Sequence, residues 1–284
     1  ELPVPPLPEA DCTAEAPRLT ISVTRLEQLS PALLELGCPA RVYIPLEEVS
    51  RLESLPGEGP EWCAVLPRVW RDRDEPALRT LLEWARALGF TGVLIGNLGH
   101  LPLVRGLDFH LYGDYGLNVF NSRSLAYLKD KELESACVSF ELRFAQIRDL
   151  KKVLRAEAIV YGRLPLMITE NCLVQNETGC RLDRQGLCVP EDGPCRCGQP
   201  NVLVDRTGAA FPLLPAYGHR TEIQNSKPLY LADRPEHRRL GLAYARLRFT
   251  TETAEECVSV VQNYLDAAPA AGDFTRGLYE RGVE

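Results

Sequence analysis

Histidine, methionine and the common hydrolase motifs are scarce or missing in this sequence. Only four of its 284 residues are histidine, and one is methionine. No G-x-S-x-G surrounds a serine, and no H-E-x-x-H is present to bind zinc. A Gly-rich dinucleotide fingerprint and a P-loop are missing too. These absences argue against serine hydrolase, zincin and P-loop chemistry.

Long apolar runs and an excess of basic residues are missing as well. No stretch approaches the ~18 consecutive apolar residues of a membrane-spanning helix, and no charged-then-apolar signal segment is present. The net charge of −7 gives no global field that attracts nucleic acid. We therefore expect no membrane partner. Because the chain begins at Glu1 and its one methionine is Met167, we expect it to be part of a longer protein.

Cysteine, in contrast, is plentiful, and its ten residues fall into two groups. Cys63 and Cys137 lie inside apolar runs, where we expect reduced core thiols and hence a cytoplasmic protein. Half of the ten cysteines fall within 26 residues, namely Cys172, Cys180, Cys188, Cys195 and Cys197. Their spacing matches neither a zinc ribbon nor a ferredoxin. Disulfides, a metal site and an accident of composition all stay open.

Eight short apolar runs recur along the chain, and amphipathic patterns lie between several of them. This alternation indicates a parallel sheet covered by helices, and eight units favour an α/β barrel of the (β/α)8 TIM type, complete or degenerate. An open doubly wound sheet is the alternative. The expected strands are 19–23, 40–46, 62–67, 91–96, 108–113, 136–142, 156–162 and 242–249. The expected helices are 25–36, 75–88, 122–131, 144–154 and 253–265, with only a poor helix after the fourth strand.

The alternation breaks between the seventh and eighth strands. We expect a Pro/Ala-rich linker at 1–16, a barrel formed by 17–165 plus 241–268, a Cys-rich insertion at 166–240 and a tail at 269–284. The insertion contains a β-hairpin pattern that turns at Thr207 and Gly208. Because it follows the carboxyl end of a barrel strand, where barrel active sites lie, the insertion is expected to have a functional role.

Polar residues at two strand ends are candidates for the site. Asp114, Asn118 and Asn121 follow the fifth strand, although Asn121 also suits a helix cap. Glu141 ends an apolar run, where a carboxylate is costly unless it is paired. We expect it to pair with Arg143 or Arg163, as a structural pair or as a general acid or base.

Two further groups of polar residues are expected to be structural. A basic run near the last strand fits a solvated surface with ordinary ion pairs, and it comprises Arg234, Arg238, Arg239, Arg246 and Arg248. His100 and His110 follow the fourth strand and begin the fifth, without a nucleophile or metal partner at a recognisable spacing.

Several longer stretches, taken in order, resemble a known family. They are "YGDYGLNVFNS" (112–122), "YGRLPLMITENC" (161–172), "LVDRTGAAFPLL" (203–214), "HRTEIQNSKPLYL" (219–231) and "FTRGLYERGV" (274–283). The combination is similar to the collagenase-like peptidases of peptidase family U32. The resemblance implies the carboxy-terminal barrel half of a longer member, whose partner is the amino-terminal barrel of the same polypeptide.

The resemblance also implies a cofactor and a chemistry. Several members are similar to enzymes that hydroxylate RNA bases or ubiquinone precursors and hold an iron–sulfur cluster on four cysteines. Carried over by position, Cys172 is the first ligand, and Cys180 with Cys195 or Cys197 are the middle ones. The last family position holds His219, followed by Arg220, so that His219 or Cys188 would complete the site. An iron–sulfur cluster or Zn is the expected cofactor, and RNA is an expected partner.

Three functions are therefore weighed from the sequence. The first is a U32 module with a Cys-rich metal site that acts in RNA base hydroxylation. The second is a degenerate, non-catalytic barrel that docks or binds substrate in a larger protein, and the third is a genuine peptidase. The expected catalytic residues are Asp114, Glu141 and Arg163, and the expected substrate-binding residues are Asn118, Asn121, Arg220 and Asn225.

Overall fold

A computed structural model describes residues 6–37, 39–182, 188–189 and 196–282. The chain divides into two compact units. The barrel unit comprises Glu1–Gly162 and Leu229–Glu284, and the insertion unit comprises Arg163–Pro228. Among the described residues, no helix is long and apolar enough to cross a membrane.

The strands follow the chain as β1 (Arg18–Ser22), β2 (Arg41–Pro45), β3 (Glu61–Val65), β4 (Gly92–Ile95), β5 (His110–Gly113), β6 (Leu133–Cys137), β7 (Arg155–Gly162), β8 (Pro165–Thr169), β9 (Arg181–Leu182), β10 (Cys188–Val189), β11 (Asn201–Val204), β12 (Ala210–Ala216), β13 (Arg220–Gln224), β14 (Leu229–Tyr230) and β15 (Tyr244–Arg248). The α-helices are α1 (Pro31–Gly37), α2 (Leu46–Val49), α3 (Glu75–Leu88), α4 (His100–Val104), α5 (Ser122–Asp130), α6 (Phe144–Asp149), α7 (Leu173–Thr178) and α8 (Ala254–Leu265). Short 3-10 turns lie at Leu26–Gln28, Asp72–Asp74, Tyr115–Leu117 and Pro235–Arg239.

Eight parallel strands close the barrel. Pairing runs from β1 through β7 in chain order, β7 then pairs with β15, and β15 pairs with β1. The short strand β14 adds to β7 in the antiparallel direction. Helices lie between successive strands, so the fold is the expected (β/α)8 barrel of TIM type. The continuous apolar runs predicted it because barrel strands are buried on both faces.

The sixth strand lies elsewhere than the sequence predicts. It spans Leu133–Cys137 instead of 136–142. Val138 makes an isolated bridge with Val119, and Leu142 N–H then donates to Ser139 O in a turn. Both Val138 and Leu142 are buried. The apolar run therefore reflects the burial of a turn and not an extended strand.

Two predicted helices are shorter than expected. The pattern 25–36 splits into the 3-10 turn Leu26–Gln28 and α1, because Pro31 disfavours a helical residue before it and starts a new helix. The pattern 144–154 ends at Asp149, where the buried Lys152 ammonium donates to Ile147 O at 2.5 Å and Arg148 O at 3.0 Å. The poor helix expected after β4 is the five-residue α4.

The boundaries of the insertion differ from the predicted 166–240. Residues 229–240 belong to the barrel unit, because β14 pairs with β7. The segment predicted as a tail also packs there, since the buried Tyr279 hydroxyl donates to Ile159 O at 2.6 Å. Within the predicted linker, Cys12 N–H donates to Lys152 O at 2.7 Å. These backbone and side-chain bonds fix the flanking segments to the barrel.

The insertion unit begins directly after β7, where the chain must turn sharply. Gly162 has φ +116°, and a Cβ there would lie 1.9 Å from Arg248 O, so only glycine fits. The unit contains a four-stranded antiparallel sheet in the order β11, β12, β13, β8. The predicted hairpin is β11 and β12, with Asp205 N–H donating to Ala209 O at 3.0 Å and Gly208 at φ +85°.

Candidate functional site

The interior of the barrel holds charged side chains where aliphatic residues are usual. The Glu157 carboxylate on β7 accepts hydrogen bonds from Thr20 Oγ1 at 2.6 Å, from the Tyr43 hydroxyl at 3.1 Å and from Arg246 Nε at 3.1 Å. Burial favours the neutral acid, but the Arg246 guanidinium outweighs it and holds the pKa of Glu157 below its usual range. Glu157 is therefore ionised inside the barrel.

Arg246 joins this interior network to the carboxyl ends of the strands. Its Nη1 lies 2.5 Å from Asp114 Oδ1, directly after β5, and its guanidinium lies 4.4 Å from the Tyr43 ring centroid. Burial opposes its charge, yet Glu157 and Asp114 together raise the pKa of Arg246 far above its usual value. Asp114 is therefore a carboxylate that a buried cation fixes at the barrel mouth.

A second buried arginine, Arg41, lies inside the barrel at the amino-terminal ends of the strands. Arg41 Nε donates to Glu61 Oε2 at 2.9 Å, and its Nη1 donates to Ser135 Oγ at 3.2 Å. The guanidinium also stacks 3.4 Å from the Tyr112 ring centroid and 4.5 Å from that of Tyr244. At this end of the interior the polar side chains are paired with one another by hydrogen bonds and ring contacts, as in a structural core.

Two buried thiols and one of the buried histidines of the barrel unit, Cys63, Cys137 and His100, are not poised for catalysis. Burial raises the pKa of the Cys63 and Cys137 thiols well above the usual value, so both are protonated core residues, as the sequence predicts. Burial also lowers the pKa of His100 to about 4, although its hydrogen bond to Pro67 O opposes the shift. His100 is thus a neutral structural residue.

Aromatic and basic side chains meet beyond the carboxyl ends of the strands. The Tyr115 and Phe140 rings lie 5.7 Å apart, on the loops after β5 and β6. The guanidinium of Arg68, after β3, lies 5.4 Å from the Tyr115 centroid, and that of Arg248 lies 5.9 Å from it. Together with Asp114, these groups form the polar and aromatic face of the barrel mouth.

Glu141 does not have the environment that the sequence predicts. It lies in the turn after β6, four residues beyond the strand end, and is half-buried. Its own N–H donates to Ser139 Oγ at 3.3 Å. Within the described residues of the barrel unit, no basic side chain pairs with its carboxylate. The pairing with Arg143 is wrong, because partial exposure to water removes the cost that made a partner necessary.

The two asparagines after β5 have backbone roles. Asn118 is exposed in the left-handed region, with φ +53°, and ends the 3-10 turn Tyr115–Leu117. Asn121 Oδ1 accepts from Arg123 N–H and Ser124 N–H, both at 3.0 Å, and so caps α5. The capping alternative is confirmed. Asn121 also borders an open groove of about 640 Å³ beside α5.

In the insertion unit, two cysteines of the predicted cluster come together. Cys172 Sγ and Cys197 Sγ are 3.3 Å apart, although the residues are 25 positions apart in sequence. Cys172 is the N-cap of α7, and its Sγ accepts from Gln175 N–H at 3.4 Å. The buried helix cap orients one sulfur, and the loop before β11 supplies the other.

The remaining predicted ligands do not join this pair in the described part of the insertion. Among the described residues, no three His, Cys, Asp or Glu side chains are grouped to hold one metal ion. Cys180 is buried just after α7, where Gln175 Nε2 donates to Cys180 O at 2.7 Å. His219, with φ +60°, forms the tight turn between β12 and β13. Cys195 and the Cys188 side chain lie outside the described residues.

Two polar residues predicted as site residues in the insertion, Arg163 and Arg220, bind groups of the insertion unit itself. Arg163 Nη1 donates to Asn225 O at 3.1 Å and to Ser226 O, which fixes the turn after β13. Arg220 is buried and pairs with Glu170, Nη2 to Oε2 at 2.8 Å. Glu141 lies in the barrel unit and Arg163 in the insertion unit, and their grouping into one catalytic set stays a prediction.

The charged interior of the barrel was not predicted from the sequence. Arg246 and Arg248 were assigned to a solvated basic surface, but Arg246 is 1% and Arg248 is 7% exposed. A signal was present, because Tyr244, Arg246 and Arg248 alternate along one strand and therefore share its inward face. Glu157 likewise interrupts the apolar run of β7.

The sequence matches the model of one known protein family over more than half of its length. The model of peptidase family U32 matches residues 55–201, more than half of the sequence. The chain belongs to peptidase family U32. In this U32 member the match includes β3 and β4, which carried only a strand pattern in the sequence, and it ends before the motifs at 203–231 and 274–283. None of the curated proteins matches the sequence.

Three solved structures are similar to this U32 member at low identity. The U32 peptidase Mk0906 is 11% identical, with a TM-score of 0.40, over 55% of this chain and 72% of its own. A tryptophan synthase α-subunit from Pyrococcus furiosus is 11% identical, with a TM-score of 0.36, over 52% and 78%. A family GH18 chitinase from Cycas revoluta is 11% identical, with a TM-score of 0.39, over 88% and 98%.

Proposed function

We propose that the insertion unit of this U32 member binds a thiolate-coordinated metal centre, an iron–sulfur cluster or Zn, with Cys172 and Cys197 as two of its ligands. The 3.3 Å between their sulfurs supports this proposal most directly. A disulfide would hold them at about 2.05 Å. Two thiolates on one tetrahedral Zn lie roughly 3.8 Å apart, given Zn–S bonds of about 2.3 Å.

The donor chemistry fits such a centre. Soft thiolates are the preferred ligands of Zn and iron–sulfur clusters. Cys188 and Cys195 are the proposed remaining ligands, in place of Cys180 and His219. The hydrogen bond from Gln175 N–H to Cys172 Sγ orients that sulfur. When bound, Zn would cross-link the insertion, and a cluster would in addition supply electron transfer.

The proposed activity is hydroxylation of an RNA base, as the family resemblance implies, at the carboxyl ends of the barrel strands. The reaction needs an oxidant as co-substrate: with O2, one oxygen atom enters the base C–H bond as C–OH, and the other leaves as water after uptake of two protons and two electrons from an added reductant. Asp114 is the acidic side chain that the contact with Arg246 fixes at that face, and Tyr115 and Phe140 supply aromatic surface. Aromatic rings and guanidinium groups stack on unpaired bases. RNA and the amino-terminal barrel of a longer polypeptide are the partners in this proposal.

A second candidate is a non-catalytic barrel that binds substrate or docks in a larger protein. The observation that favours it is the mutual pairing of charges in the interior, where Arg246, Glu157 and Asp114 satisfy one another. Genuine peptidase activity has less support, because burial keeps the Cys63 and Cys137 thiols protonated and His100 neutral.

Anaerobic purification with elemental analysis and an absorption spectrum tests the metal proposal. The parent protein is expected to contain about one centre per chain, and Cys172→Ser and Cys197→Ser are each expected to lose it. His219→Ala is the matched control in the same unit and keeps the metal, as does Cys12→Ser in the barrel unit. Metal-free protein with a disulfide between Cys172 and Cys197 by peptide mapping would disprove the proposal.

Incubation of the metal-loaded protein with RNA, O2 and a two-electron reductant then separates the two candidate functions. A base that gains one oxygen by mass spectrometry supports the hydroxylase. Binding of RNA without any modified base, in the parent and in Asp114→Asn alike, supports the non-catalytic alternative.

A further inference from the structure

The edge strands of the insertion sheet expose an unusual amount of apolar side chain. Val202, Leu203 and Val204 on β11 and Leu166 and Met167 on β8 are between 46% and 58% exposed. They make up half of the large apolar residues that are exposed in the described part of the chain. Because side chains alternate along a strand, three consecutive exposed residues mean that β11 has both faces in solvent.

One backbone edge of β11 is also without a partner strand among the residues that the structure describes. Among the described residues β11 pairs only with β12, so the other row of its N–H and C=O groups faces away from the sheet. Soluble proteins usually protect such an edge with a charge, a proline or a bulge within the strand. The four residues of β11, Asn201 to Val204, contain none of these.

We infer that β11 is a self-association edge, which pairs antiparallel with β11 of a second copy of this chain across a two-fold axis at Leu203. In this register Leu203 lies opposite its symmetry mate, and Val202 lies opposite Val204. Asp205 then faces Asn201, so no like charges meet. A shift of the axis to Val204 would instead place Asp205 opposite Leu203 and Arg206 opposite Val202.

Charge favours a second copy over a different partner. The insertion unit has seven basic and seven acidic residues, and hence no net charge, whereas the rest of the chain has a net charge of −7. Two insertion units therefore meet without the net repulsion that the other surface of this protein would impose. The pairing closes, with the strand order β8, β13, β12, β11 repeated in reverse in the second copy.

The contact is short, so the dimer is expected to be weak. A four-residue edge buries less than the ~1,600 Å² of a standard stable interface. Sedimentation equilibrium of the full chain over a wide concentration range is expected to show a reversible monomer and dimer. Leu203→Lys places two ammonium groups opposite each other and is expected to weaken the dimer at least ~10-fold.

Met167→Lys is the matched control, because Met167 is also exposed, at 57% against 46% for Leu203, on the opposite edge strand of the same sheet. It is expected to dimerise like the parent. Leu203 is exposed, so its replacement removes no core packing, and Val204→Lys provides a second variant if circular dichroism shows that Leu203→Lys is unfolded. In Leu203→Cys, a short bis-maleimide is expected to yield more covalent dimer than in Met167→Cys.

Three outcomes would overturn the inference. The first is a parent protein that stays monomeric at the highest soluble concentration, and the second is a dimer that Met167→Lys abolishes and Leu203→Lys leaves intact. Oligomers that keep growing with concentration would show that β11 pairs with β8 of the next copy, which makes an open chain instead of a closed pair.

Discussion

Arg246 and Asp114 form an ion pair of 2.5 Å although they are 132 positions apart in sequence. Arg246 comes from the last barrel strand, and Asp114 follows the fifth. Closure of the barrel brings them together, and Glu157 on β7 holds the other side of the same guanidinium. The pair thus connects the orientation of a carboxylate at the barrel mouth to the core of the fold.

Replacement of Arg246 by methionine is expected to destabilise the protein by ~3–5 kcal/mol in urea denaturation. The reason is that Glu157 would remain buried and ionised, or would have to take up a proton, without its main partner. The double variant Arg246→Met/Glu157→Gln removes both charges and is expected to recover part of this loss. A cost below ~1 kcal/mol for the single variant would show that the interior pair contributes little.

A surface ion pair provides the control for that experiment. Arg148 Nε lies 2.8 Å from Asp149 Oδ1, and both side chains are exposed. Arg148→Met is expected to leave the urea midpoint almost unchanged, because water screens such a pair. The difference between the two variants shows how much of the loss in the free energy of unfolding is due to burial of the ion pair and not to the loss of an ion pair alone.

The barrel could be predicted because parallel strands buried on both faces leave continuous apolar runs. The same signal failed at the sixth strand, since residues 138–142 are apolar for the burial of a turn. Apolar content reports burial, whereas only pairing with a neighbour decides that a segment is extended. The predicted carboxy-terminal bound of the insertion was wrong for a related reason. The two residues of β14 carry no strand pattern of their own, and only their antiparallel pairing with β7 shows that they belong to the barrel unit.

Asn121 offers a direct test of capping against substrate binding. Asn121→Ala is expected to lower the free energy of unfolding by ~1 kcal/mol, because Arg123 N–H and Ser124 N–H lose their acceptor. Asn121→Ser keeps a capping oxygen and is expected to restore most of the stability. If neither variant changes the urea midpoint, the hydrogen bonds of the cap are not important for the fold.

His100 makes a pH dependence that can be isolated. Its pKa falls from 6.5 in the unfolded chain to about 4 in the fold, chiefly because burial disfavours the imidazolium. Between these two pH values the unfolded chain binds a proton on His100 that the folded chain does not. The contribution of the neutral His100 to the free energy of unfolding is therefore fully present above pH 6.5 and is lost as the pH falls toward 4. The shift corresponds to at most ~3 kcal/mol.

The measurement compares the urea stability of the parent and His100→Gln from neutral pH to about pH 4. The glutamine amide can still donate to Pro67 O but does not titrate. The stability advantage of the parent is therefore expected to shrink as the pH falls. Other carboxylates and His237 titrate in both proteins and cancel in the difference. Parallel pH profiles would mean that His100 is accessible to protonation in the fold.

The candidate site was less predictable than the fold, and Cys172 shows why. Its type and its neighbours in "ENC" pointed to a ligand, but spacing along the chain does not give the distance between sulfurs. The short helix α7 separates Cys172 from Cys180, while a loop returns Cys197 to 3.3 Å. Arg246 was missed for the opposite reason, because a basic residue was counted with its sequence neighbours and not with the inward face of its strand.

Chelation is expected to loosen the insertion unit while the barrel stays folded. The insertion has few large buried apolar residues, and the side chains that its outer strands expose do not contribute to a core. Its chain entropy is therefore offset in part by a cross-link, and under the metal proposal the ligands Cys172 and Cys197 provide it.

Hydrogen exchange of the native protein should accelerate in α7 and in the sheet of β8, β11, β12 and β13 after a strong chelator is added. Exchange in the barrel strands should not change, because their hydrogen bonds and buried ion pairs are independent of the metal. The control is Cys172→Ser, which should exchange rapidly in these segments without chelator and should not respond to it. If the parent instead exchanges at the same rate with and without chelator, and slows only when a disulfide is present, covalent sulfur and not metal holds this unit together.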